Sequence, residues 1–205
     1  MHALSCKIAF MNSTYELYFI VNPELSSEQT NTLLANVQEL LSSVVKAENV
    51  DVEQEGLKNL AYPIQKHWSG YYVNIRYEVS DANKPAIKDL EARLNLLEPI
   101  IRYLNLNISE YLIAKSKEVL NETEITTHRE LNKGRASKIC LSKYLGLKAI
   151  DYKDVDYLNQ FTSPYAKIFD RSKTGTSAKF QRKITKAIKQ ARHMGLMPFT
   201  TKHYR

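Results

Sequence analysis

Gly70-Tyr-Tyr-Val-Asn-Ile-Arg-Tyr-Glu-Val79 reads as a clean β-strand. It is dominated by aromatic and β-branched side chains and has no internal proline. Working outward, Tyr15-Glu-Leu-Tyr-Phe-Ile-Val21 is a second strand, which Asn22-Pro23 ends. From Ser26 to about Lys46, Leu33, Leu34, Val37, Leu40, Leu41 and Val44 recur at helical spacing, and Ser26 with Gln29 forms a capping-box pair. Val50 to Ala61 alternates around Gly56, and Pro63 closes it. Beyond the quoted strand, Asn83 to Leu97 fits a helix with Ile87, Leu90, Leu94 and Leu97 on one face, and Ile100 to Ile108 alternates again. The order β-α-β-β-α-β predicts an α+β, ferredoxin-like domain: a four-stranded antiparallel sheet covered on one face by two helices. Many functions share that arrangement, so it decides none of them.

Charge divides the chain. Residues 1–112 carry nine Lys or Arg against fourteen Asp or Glu, a net of −5, and residues 113–205 carry twenty against eight, a net of +12. Two modules with different tasks are expected, one of them binding an anion. Residues 171–205 hold ten basic side chains and no acidic one, which calls for a polyanion such as a phosphate backbone. Glu110 to about Lys133 is polar, without a strong apolar face, and reads as a linker. Met1 to Phe10 lacks the cleavage site of a signal peptide; a leader, or a true start at Met11, both stay open. No apolar run approaches the roughly 18 residues of a membrane span. Cys6 and Cys140 are far apart and lack metal-ligand spacing.

After the linker, Asp151 is expected to cap a short helix carrying Val155, Leu158 and Phe161, with Asp154 in its first turn. A longer helix is expected from about Ser177 to His193, with Gly195 at its left-handed end and Pro198 preventing restart. At 100° per residue from Lys179, the residues Phe180, Ile184, Ala187, Ile188 and Ala191 fall between about 80° and 180°. Lys179, Arg182, Lys183, Lys186 and Lys189 fall between about 280° and 40°, with Arg192 on the flank. One face is core and the other a cationic stripe without acidic partners at i±4. Arg171, Lys173 and the stripe with Arg192 are the candidate contacts to a polyanion. Thr174-Gly175-Thr176 before the helix either offers amides to a phosphate or forms an ordinary turn.

Residues 134–205 resemble bacterial small-subunit ribosomal protein eighteen. The resemblance is carried by Ile150-Asp-Tyr-Lys-Asp-Val155, Lys173-Thr-Gly-Thr176, Ala178-Lys-Phe-Gln-Arg-Lys183 and Ala191-Arg-His-Met-Gly-Leu-Met-Pro-Phe199. Residues 11–112 resemble bacterial small-subunit ribosomal protein six, through Tyr15 to Pro23, Gly56-Leu-Lys-Asn-Leu-Ala-Tyr-Pro-Ile-Gln-Lys66, Gly70-Tyr-Tyr-Val73 and Ile100-Ile-Arg102. The chain looks like a natural fusion of the two, with a leader at 1–10, a ferredoxin-like domain at 11–112, a linker at 113–133 and a small, mainly helical domain at 134–205. The resemblance implies a structural constituent of the small ribosomal subunit, bound to the central domain (platform) of its rRNA and to neighbouring ribosomal proteins. It further implies docking of the two modules within one chain, and a cytoplasmic ribosome or an organellar one. There are departures: Glu55 stands before the signature glycine, Ser172 stands where the second family has a basic residue, and the Arg-rich leader is reduced to Lys133, Arg135 and Lys138.

An enzyme is the weaker reading. Asp151, Asp154 and Asp156 suit helix capping better than a metal, and His67, His128, His193 and His203 are scattered. No cofactor, metal, membrane or small-molecule substrate is expected, and with Cys140 alone no zinc site. A free-standing RNA-binding regulator is the alternative, if Tyr15, Tyr71, Tyr72 and Tyr103 line a base-stacking sheet. Packing is the simpler fate for these tyrosines, and Trp68 is expected to be a semi-buried anchor.

Overall fold

The structure, a computed structural model, describes residues 12–109 and 150–200. The leader, the linker, Cys6, Cys140, His128, Lys133, Arg135, Lys138, Lys202, His203 and Arg205 lie outside these residues. The chain divides into two compact units: residues 12–56 with 71–108, and residues 57–70 with the C-terminal region.

The first unit is the expected ferredoxin-like domain. Its elements are β1 (Ser13–Val21), α1 (Ser27–Leu40), β2 (Glu48–Ile64), β3 (His67–Val79), α2 (Ala86–Leu94) and β4 (Ile100–Asn107), with sheet order β2-β3-β1-β4. β1 pairs antiparallel with β3, from Ser13 opposite Val79 to Val21 opposite Tyr71, and with β4 on its other side. Both halves of the capping box form at α1. The Gln29 amide donates to the Ser26 hydroxyl at 3.3 Å and the Ser26 amide to the Gln29 side chain at 3.0 Å. Leu17, Phe19, Val21, Val73, Ile75, Tyr77 and Val79 form one buried face against Leu33, Leu34, Val37, Leu90 and Leu94 of the helices. Each such aliphatic side chain contributes about 1.5–3 kcal/mol on burial.

Two boundaries differ from expectation. β2 does not stop before Pro63 but runs to Ile64. An edge strand tolerates a proline, whose missing N–H can face away from the ladder, and β2 is the edge strand. The second helix is shorter than Asn83–Leu97: a tight turn at Asp81–Asn83 precedes Pro85, and α2 begins only at Ala86. Proline lacks the amide that a helix interior needs, so it sits at a helix start rather than inside one.

β1 pairs with β3 only from Tyr71 onward, so residues 57–70 of the β2–β3 hairpin extend beyond the stretch that β1 pairs. They belong to the second unit. There the helices are α3 (Val155–Asn159), α4 (Arg171–Thr174) and α5 (Ala178–His193). The cap of α3 is Asp154, whose carboxylate accepts from the Tyr157 amide at 3.1 Å. Asp151 instead accepts from the Lys153 amide, two residues on, so the expected cap at Asp151 shifts by one turn. Leu158, Phe161, Phe180, Ile184, Ile188, Ala191 and Met194 are buried, with Phe161 edge-on to Phe180 at 6.5 Å.

Candidate nucleic-acid interface

α5 begins where the serine signal places it. Ser177 caps it, accepting from the Phe180 amide at 3.3 Å. It ends in a Schellman arrangement: the Gly195 amide donates to the Arg192 carbonyl at 3.1 Å and the Leu196 amide to the Ala191 carbonyl at 2.9 Å. Gly195 has φ +67, a conformation that costs a side-chain-bearing residue about 1 kcal/mol.

The helix separates as its periodicity predicts. Phe180, Ile184, Ala187, Ile188 and Ala191 are buried, while Lys179, Arg182, Lys183, Lys186 and Lys189 are exposed. Lys179, Arg182, Lys186 and Lys189 form no ion pair among the described residues. Five cations on about three turns, with Arg182 and Lys186 at i and i+4, repel one another. That repulsion is relieved by an anion.

Arg192 is different. It is half-buried, its guanidinium donates to the Ala166 carbonyl, and it lies 5.9 Å over the Phe199 ring. Burial lowers its pKa from the ordinary arginine value. The flank position read from the sequence is therefore a strut that ties α5 to residues 163–168.

Arg171 and Lys173 are exposed on α4. Asp170 caps this short helix. The Ser172 hydroxyl at 2.6 Å, and then the Lys173 amide at 3.1 Å, hold its carboxyl below the usual carboxylate range. Ser172, where the resemblance had led one to expect a cation, thus serves the cap. Lys173 lies 5.5 Å over the Phe169 ring, which leaves its charge at the surface.

Of the two readings of Thr174-Gly175-Thr176, the ordinary turn prevails. The Gly175 amide is spent on the Arg171 carbonyl at 2.9 Å, and buried Thr176 donates its hydroxyl to Gln181 at 2.5 Å. Gln181 in turn donates to the Phe169 carbonyl at 2.8 Å. This turn fixes the entry of α5.

Sequence reasoning missed the hairpin arm. In the second unit the Ala61 amide donates to the Gly195 carbonyl at 2.7 Å, the Tyr62 hydroxyl donates to the Arg192 carbonyl at 2.7 Å, and the Tyr62 ring meets Phe199 edge-on at 5.2 Å. Carbonyls at a helix C-terminus lack partners within the helix and carry its partial negative charge. The arm supplies the donors. The alternation of buried Leu60, Tyr62 and Ile64 was the available signal. Trp68, expected to be semi-buried, is half exposed.

The tyrosines of the sheet make no exposed platform. Tyr72 is fully buried, and Tyr15, Tyr71 and Tyr103 pack against the helix-facing core. Among the described residues no group of three or more His, Cys, Asp or Glu is placed to hold a metal, and no helix is long and apolar enough to cross a membrane.

Comparison with known proteins divides the chain in the same order. Residues 14–107 match the family model described as ribosomal protein S6, and residues 146–197 the model described as ribosomal protein S18. Small ribosomal subunit protein bS18 of Phocaeicola vulgatus is 49% identical over 67 residues, 33% of this chain and 75% of that protein. Its counterpart in Christiangramia forsetii is 45% identical over 78 residues, 38% of this chain and 79% of that protein. The crystal structure of 30S ribosomal protein S6 from Thermotoga maritima matches at 26% identity with a TM-score of 0.46, covering 53% of this chain and 98% of that one.

Proposed function

From the premise that this chain belongs to the ribosomal protein S18 family and carries ribosomal protein S6 ahead of it in the same polypeptide, we propose that it is a covalently linked equivalent of an S6–S18 pair. It serves as a structural constituent of the small ribosomal subunit and binds the central domain, or platform, of the rRNA. The α5 stripe carries this reading: Lys179, Arg182, Lys186 and Lys189 form no ion pair among the described residues, on a helix whose other face is fixed in a core. Phosphate contacts of this kind position a protein on RNA without reading sequence.

We assign residues 11–112 to the S6-like module, 113–133 to the linker and 134–205 to the S18-like module. A flexible linker of about 20 residues spans roughly 25 Å. It raises the effective concentration of one module for the other to the order of millimolar and fixes their ratio at one to one. Docking of the modules within the chain is supported by the hairpin arm, which starts in the sheet and folds with the C-terminal helices. This reading takes the ribosome to be a cytoplasmic one rather than an organellar one, which the bacterial sources of the relatives above support.

The alternative, a free regulator that binds RNA on its sheet, lacks the exposed aromatic surface it requires. Fractionation tests the reading. The protein should remain with small subunits through moderate salt as one species near 23.6 kDa. Free protein, or two fragments in purified subunits, would contradict a working fusion.

A further inference from the structure

We propose that Tyr165 stacks on an unpaired base of the bound RNA, at the C-terminal end of the α5 stripe. The inference rests on the rRNA-binding reading above and adds to it a contact that is not electrostatic.

Tyr165 sits on a tightly braced turn. Thr162 and Ile168 form an antiparallel bridge. The Ser163 amide donates to the Lys167 carbonyl at 2.8 Å, the Ala166 amide to the Ser163 carbonyl at 2.8 Å, and the Lys167 amide to the Ser163 hydroxyl at 3.1 Å. The Arg192 guanidinium holds the Ala166 carbonyl from α5. Ala166 has φ +56, a left-handed conformation that an alanine adopts only under constraint.

This turn displays a tyrosine that is 73% exposed. No hydrogen bond or ring contact engages its side chain among the described residues. The neighbouring aromatics are committed: Tyr157 packs edge-on to Phe161, and Phe199 meets Tyr62 and Arg192. A ring presented to solvent on a rigid turn can receive a flat partner at little cost in conformational entropy.

The surroundings favour a base as that cover. Lys167 is exposed two residues on. Arg192, which anchors the turn, lies on the helical wheel between the apolar face and Lys189, so the turn borders the cationic stripe. Beside it is a recess of about 300 Å³, lined by Asn159, Thr162, Ser163, Arg192 and Met197 among others. A ring beside a cationic track is the arrangement by which unpaired bases are held, the charges following the backbone and the ring taking the base.

The test uses the full chain, titrated across salt onto small-subunit particles stripped of this protein, with chemical probing of the rRNA bases. Tyr165→Ala should weaken binding roughly 5- to 150-fold, the loss expected for one stacked base. It should leave the salt slope and thermal unfolding unchanged and make one unpaired base newly reactive. Tyr165→Phe should bind within about two-fold of wild type, because the ring is retained. Wild-type affinity in Tyr165→Ala would overturn the inference while leaving the ribosomal reading intact. Weakened binding without a change at any base would assign Tyr165 to a neighbouring protein, and an equal loss in Tyr165→Phe to its hydroxyl; either overturns the stacking. Failure of the wild-type chain to bind the particles would remove the underlying reading and the inference with it.

Discussion

Arg76 on β3 lies 3.7 Å from both Glu16 and Glu53, and Lys84 lies 2.7 Å from Asp81. On α5, by contrast, Lys179, Arg182, Lys186 and Lys189 form no ion pair among the described residues. Both regions expose basic side chains on regular elements, yet only one pairs them. In the acidic half Arg76 and Lys84 have such local pairs, each worth about 0–1 kcal/mol at a surface. The other half has only eight acidic residues for twenty basic ones. Its charge stays available for a partner, at the expense of repulsion along the helix. Within α5 a second contrast holds: Arg192 belongs to the same run of cations but serves the fold.

The sharpest break in that contrast is between the two faces of α5. Ile184→Asp places an unpaired charge in the core and should destabilise the C-terminal unit by about 4 kcal/mol or more. Loss of the helical circular-dichroism signal in thermal unfolding checks this. Replacing Lys179, Arg182, Lys186 and Lys189 together by Ala should leave the melting temperature equal or slightly higher, because like charges are removed. The same change should flatten the log–log salt slope of rRNA binding by roughly 3, at about 0.7–0.9 per phosphate contact. An unchanged slope would place the contact elsewhere.

Arg192→Ala tests the strut. It should cost about 1–3 kcal/mol of stability through the orphaned Ala166 carbonyl, while the salt slope stays at the wild-type value. A flattened slope with unchanged stability would return Arg192 to the stripe. The smallest effect belongs to the arm: Tyr62→Phe should lose about 0.5–1.5 kcal/mol in denaturant titration, since only the hydroxyl held by the Arg192 carbonyl is removed.

The legible features were local ones. Ser26 with Gln29 and Gly195 with Leu196 are cap signals written within a few residues. Alternation in β1 and β3 and the 3.6-residue period of α5 declare which side of an element is apolar. These periods gave the ferredoxin-like order and the cationic stripe, and the family motifs gave the ribosomal role. Pro63 reads as a breaker and Asn83–Leu97 as one helix through Pro85, but the effect of each proline depends on whether the strand is at an edge and where the helix begins.

Taken alone, then, the sequence determined the elements, their apolar faces and the imbalance of charge, because backbone preference and side-chain period act over a few neighbours. Only the tertiary structure decided that the arm at Ala61 and Tyr62 folds with the end of α5, that Arg192 is a strut, and that Ser172 completes a cap. Tyr62 and Arg192 are 130 positions apart, and Arg192 is drawn from the stripe by a carbonyl on a separate turn. No local pattern records such pairings. They arise when packing brings distant donors to carbonyls at a helix end or on a turn.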